Sequence, residues 1–199
     1  MTISIRTSPI EVSIDKGGVR TIQRGKTWAQ FDHIQQGFEH TRGVKLFYYS
    51  GTIEILMPGA AHELFKKVIA ILIEVFLLDR KIEFEPTGSM TQKREGIAAA
   101  EADESYVIQG AKLCVEINFT SGDESKLDCY QALGIDEVWF WEDGVLAVYH
   151  LQSNGYRRVS FSQIPALSSI NLGMMAECIL LGETSRIEAV TRFRAAHPH

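Results

Sequence analysis

Cations are the minority charge in this chain: 20 Lys and Arg stand against 25 Asp and Glu, a formal net charge of −5 over 199 residues. Phosphate affinity comes mostly from Lys and Arg, so this balance does not advertise a nucleic-acid binder, although a local basic rim on an acidic body suffices for one. Cysteine is scarce: Cys114, Cys129 and Cys178 are widely spaced and form no CxxC pair. That excludes a zinc finger and a disulfide framework, and reduced structural thiols are the expectation. Only 5 prolines occur among otherwise ordinary globular proportions, so low complexity is excluded for the bulk of the chain. The longest aliphatic run, Val68 to Ile73, is far below the ~20 residues that span a bilayer, so no membrane association is expected. No basic segment followed by an apolar stretch opens the sequence, and a cytoplasmic protein is expected. Walker A, GxSxG and GxGxxG motifs are all missing. His62-Glu63 begins like HExxH, but Lys66 stands where the motif needs its next ligand turn, so the zinc-protease reading fails.

What is present is a mixture of helix and strand signals. Residues 1–26 are weakly patterned, with Ile3, Ile5, Ile10, Val12 and Ile14 in loose alternation up to Lys16-Gly17-Gly18, and read as a loose lead-in arm with room for a short strand. A single domain is expected over 27–199, with a helical tail from about residue 165. Thr27, Gln30 and the apolar spacing of Trp28, Phe31, Ile34 and Phe38 predict a capped amphipathic helix. Residues 44–49 and 52–56 around Ser50-Gly51 predict a hairpin, stopped by Pro58-Gly59. His62 to Leu78 is apolar around most of its circumference and predicts a buried helix. Strands are predicted over 81–85, 105–108, 112–117 and 137–141, then a hairpin at Asp143-Gly144 with partner strands 145–151 and 156–161. Helices are predicted from Ser121 to Leu133, from Asn171 to Leu181 and from Ser185 to Ala196. The order implies an α/β (α+β) fold, a mixed sheet flanked by helices. The Trp139-Phe140-Trp141 strand reads as core, with a homodimer interface as the alternative.

The chemistry-bearing signals are acids in unusual places. Glu116 interrupts the apolar run Leu113-Cys114-Val115-Glu116-Ile117. A carboxylate in a central strand is costly unless paired, hydrogen-bonded or bound to metal. Asp103 lies just before the strand that starts at Ser105, so two acids on neighbouring strands can converge on one Mg²⁺. Lys126 follows on the next helix, where a cation orients water or offsets transition-state charge. The alternative is a solvated strand-end acid and a surface lysine.

Several blocks resemble, in the right order, a large bacterial family of the restriction-endonuclease-like PD-(D/E)xK superfamily described as Uma-type. These blocks are Gly51 to Pro58 followed by His62-Glu63, Gly88 to Glu95, Glu101 to Ser105, Glu116 to Ser121, and Lys126 to Trp139. The resemblance runs from about Trp28 to Phe161. It implies a restriction-endonuclease-like fold and a Mg²⁺ (or Mn²⁺)-dependent endonuclease acting on nucleic acid, DNA foremost. Asp103 and Glu116 would be metal ligands, Lys126 the assisting cation, and Glu63 a further ligand. Lys93, Arg94 and Lys67 would face phosphate, with Lys66 beside them. Two departures matter: Ala102 replaces the proline of the "PD" signature, and Asn118 stands where a standard (D/E)xK carries its lysine. Lys93 is the second candidate for that role, and a catalytically degenerate nucleic-acid- or protein-binding regulatory module on the same fold is the competing reading.

Overall fold

The computed structural model describes residues 10–118, 125–142 and 144–198. Ile3 and Ile5, the start of the helix predicted from Ser121, and Asp143 of the second hairpin lie outside them.

The lead-in folds as a hairpin, β1 (Ile10–Asp15) and β2 (Gly18–Gln23). Helix α1 (Trp28–Phe38) starts at Thr27, whose hydroxyl accepts from the Gln30 amide while the Thr27 amide donates to the Gln30 side-chain oxygen. Both halves of the predicted capping box are present. Strands β3 (Lys45–Tyr49) and β4 (Thr52–Pro58) are the first predicted hairpin, and α2 (Ala60–Asp79) follows. Then come β5 (Phe84–Pro86), β6 (Thr91–Arg94), β7 (Ala98–Glu101), β8 (Glu104–Ile108) and β9 (Ala111–Asn118). Helix α3 (Ser125–Leu133) leads into β10 (Glu137–Glu142), β11 (Val145–Gln152) and β12 (Gly155–Val159). A turn of 3-10 helix over Pro165–Leu167 precedes α4 (Leu172–Leu181) and α5 (Arg186–Ala196).

The fold is mixed α+β, but its strands divide between two six-stranded sheets rather than one. The first runs β1-β2-β4-β3-β7-β6 and the second β12-β11-β10-β9-β8-β5. Among the described residues only β9 and β10 pair in parallel, with α3 between them in sequence, and the other pairings are antiparallel. The chain places β5 in the second sheet, returns to the first with β6 and β7, and crosses back to the second at β8, with Ala102 and Asp103 at this last switch.

Burial follows the period-2 alternation of β9. Leu113, Val115 and Ile117 face α2 and pack with Phe65, Ile69, Leu72, Ile73 and the indoles of Trp139 and Trp141. Cys114 faces the other way, into a smaller core with Ala98, Ala100, Ala102, Cys129, Tyr130 and Phe140. Both tryptophans are core residues, 0% and 2% exposed, as the sequence suggested. All three cysteines are free and buried. Among the described residues no helix is long and apolar enough to cross a membrane.

Candidate active site

The site grows out of the sheet switch. The β8–β9 register pairs Glu104 with Val115, and the Asp103 amide donates to Val115 O at 3.0 Å, so Asp103 and Glu116 come side by side on adjacent strands. Alternation turns Glu116 away from α2 and toward α3, which returns Lys126 over the same strand. Asp103, Glu116 and Lys126 are all buried, at 1%, 3% and 6% exposure, so neither carboxylate is a solvated strand-end acid.

Each carboxylate oxygen has a partner. Asp103 Oδ1 receives the Lys45 ammonium, whose Nζ also donates to Ala102 O at 3.2 Å. Asp103 Oδ2 accepts from the Ile117 amide at 2.6 Å and lies 3.1 Å from His62 Nε2. Glu116 Oε1 accepts from the Tyr130 hydroxyl, and Glu116 Oε2 accepts from Lys126 Nζ at 3.0 Å. Lys126 Nζ also lies 3.4 Å from Glu54 Oε1, and the other Glu54 oxygen pairs with Arg20 Nη2 at 2.6 Å. A chain of charges therefore runs from the N-terminal hairpin to the centre of the second sheet.

The two carboxyls are driven in opposite directions. Burial works against the charged form of Asp103, but the Lys45 charge and the adjacent His62 imidazole outweigh it and hold the group well below the usual carboxylate range. Burial pushes Glu116 up, and Lys126 and Tyr130 offset this only in part, with Asp103 adding repulsion.

Asp103, Glu116 and Lys126 are thus brought together, and the other sequence candidates stand elsewhere. Glu63 is half-exposed on α2, with Lys66 Nζ 3.0 Å away and His62 Nδ1 at 3.8 Å. Lys67 is mostly exposed and lies 3.4 Å from Glu104 Oε1. Lys93 sits on β6, an edge of the first sheet, bonded to Asp32 at 3.1 Å and Gln35 at 3.2 Å and stacked 5.0 Å from the Trp28 ring. Arg94, also on β6, donates to Ala132 O at 3.3 Å.

Sequence reasoning missed Arg20, Lys45, Glu54 and Tyr130, and set His62 aside with the failed HExxH motif. Glu54 carried the same signature as Glu116, an acid inside the apolar run Ile53-Glu54-Ile55-Leu56. Tyr130 and Lys45 carried no local signal, because a helix tyrosine and a strand-end lysine are ordinary.

The donor chemistry suits Mg²⁺, which is held by one or two carboxylates with water and substrate phosphate completing its shell. Among the described residues no group of three or more His, Cys, Asp or Glu side chains is placed to share an ion, so a closed cage of the zinc kind is not built there.

No family model matches the chain, and no curated protein matches it. Among solved structures it is similar to a protein from Anabaena variabilis described as a "putative nuclease belonging to DUF820", with a TM-score of 0.52 over 84% of this chain and 98% of that one. The likeness is one of fold. At 13% identity it carries the architecture across and leaves the site to be argued from its own residues.

Proposed function

We propose that the chain is a metal-dependent phosphodiesterase that hydrolyses nucleic acid, DNA foremost, at Asp103, Glu116 and Lys126. The observation that carries this reading is the convergence of those three buried side chains at the sheet switch. The fold shared with the protein described as a "putative nuclease" supports it. Asp103 and Glu116 would hold Mg²⁺ or Mn²⁺, which when bound lowers the pKa of a water and offsets phosphate charge. Lys126 is already held against Glu116, 3.0 Å away, and Glu54 steadies it from the side. From there its ammonium offsets negative charge developing on the attacked phosphate. Asp103 stays ionised through the neutral range, and the neighbouring backbone amide of Ile117 fixes its orientation. Lys126 takes the role that Asn118, two residues after Glu116, leaves open.

The test is cleavage of supercoiled plasmid and of single-stranded DNA with Mg²⁺ or Mn²⁺, comparing the parent with Glu116→Ala and Lys126→Ala. We expect the parent to nick, Glu116→Ala to lose activity at least a hundredfold, and chelation to abolish what remains. Equal cleavage by parent and Glu116→Ala would refute the assignment. The regulatory binding module is the second reading, favoured by one observation: lysines already sit on both carboxylates. Retarded migration of DNA with no cleavage under any metal would select it.

A further inference from the structure

Lys45, which pairs with Asp103, has no part in the three-residue site proposed above. Lys45 enters on β3, opposite Leu56 of β4, and is buried with its ammonium between Asp103 Oδ1 and Ala102 O. Three carboxylates, Glu54, Asp103 and Glu116, thereby face three cations, Arg20, Lys45 and Lys126. Among these paired groups the charges balance, and Glu101 is a further carboxylate on the cavity that Lys45 lines. A dication held between Asp103 and Glu116 would sit against the Lys45 and Lys126 ammoniums, which is unfavourable unless one of them withdraws. Lys126 cannot be that cation, because the proposed chemistry needs it beside Glu116. That further carboxylate, Glu101, shares one small cavity with Lys45, Glu54, Glu116 and Lys126. Glu101 is half-buried at the end of β7, two residues before Asp103, and its Oε1 accepts from the Thr91 hydroxyl at 2.9 Å.

We propose that Lys45 is a displaceable internal cation: it occupies the Asp103 oxygen that a divalent ion would use, and ion binding requires its ammonium to move across the cavity to Glu101. The proposal rests on the metal-dependent reading above. It makes the parent protein a weak binder whose affinity is set by the fraction of molecules with Lys45 withdrawn. Removing the Lys45 charge then strengthens binding, and removing its alternative partner weakens it.

The experiment is titration of the metal-stripped full chain with Mn²⁺, reading free Mn²⁺ by electron paramagnetic resonance, so that no activity is needed. Lys45→Gln keeps a hydrogen-bond donor toward Asp103, and Lys45→Met removes it; circular dichroism selects the variant that folds. We expect about tenfold or greater tightening in either Lys45 variant, little change in Lys45→Arg, weakening in Glu101→Gln, and loss of the gain in Lys45→Gln combined with Asp103→Asn. Mn²⁺ binding by the parent that Lys45→Gln and Lys45→Met leave unchanged would overturn the role of Lys45 and leave the metal-dependent reading standing. Tightening in Lys45→Arg equal to that in Lys45→Gln would also overturn it. Absence of Mn²⁺ binding in the parent and in every Lys45 variant would overturn both.

Discussion

Glu137 shows what a buried acid does when it is structural. It is 0% exposed, and its oxygens accept from the Trp139 indole at 2.9 Å, the Ser162 hydroxyl at 2.8 Å, and the amides of Gln163 and Ile164, with the His150 imidazole 3.6 Å away. The carboxylate ties the start of β10 to the segment that leads into α4. Removing it leaves several buried donors without an acceptor, each costing about 1–3 kcal/mol. Glu137→Ala is therefore expected to lose roughly 2–5 kcal/mol in urea unfolding, and Glu137→Gln, which keeps one acceptor oxygen, less. A loss below about 0.5 kcal/mol, the range of ordinary surface changes, would refute that role. Glu116 differs in facing an ammonium and a phenol rather than backbone, the arrangement of a site rather than a joint. Sequence could separate these acids only in part. Glu116 and Glu54 interrupt apolar runs and are visible, whereas Glu137 opens its strand and looks like any solvated strand-end acid.

The β1–β2 hairpin was the least legible element, because its alternation is loose and β1 leaves Ile10, Val12 and Ile14 exposed. Its place is fixed by pairing that no local pattern encodes: β2 runs against β4 from Gly18–Pro58 to Gln23–Ile53. Gly18 has φ +130°, and a Cβ there would meet Met57 O at 2.1 Å. Only glycine closes this joint. Gly18→Ala is expected to cost about 1–3 kcal/mol in strain alone, and the steric overlap adds to it. Because the same strand carries Arg20 to Glu54, the substitution should also reduce amide protection along β2 and β4 in hydrogen exchange. Unchanged protection there would refute the coupling of hairpin to site. The triple-alanine strand β7 was missed for a related reason. Alanine has weak strand preference, but Ala98 and Ala100 are small enough for the Cys129–Tyr130 turn of α3 to pack onto the first sheet. Where a strong period existed, as in α2, element type was legible and only the ends moved, from His62 and Leu78 to Ala60 and Asp79.

At the scale of the molecule, the switch between sheets at Ala102–Asp103 was not legible, since it depends on which strands pair at long range. It is also what buries two like charges side by side, and that has a consequence for pH. Asp103 is held below the ordinary carboxyl value, so its contribution to stability is fully present above the unfolded value of about 3.9 and is lost as pH falls through the folded one. Glu116 is held above its ordinary value, so its contribution is present below the unfolded value of about 4.3 and is lost as pH rises through the folded one. The two residues therefore act on opposite limbs of the stability profile. In chelator, the melting temperature of Glu116→Gln, which mimics the protonated acid, should match the parent near pH 4 and gain on it as pH rises. Asp103→Asn should fall furthest below the parent at neutral pH and approach it in acid, as the unfolded parent takes up a proton that folded Asp103, held by Lys45 and His62, does not. Parallel profiles for the parent and both variants between about pH 3 and 8 would show that the two carboxyls titrate alike, and the asymmetry argued for the site would fall with them.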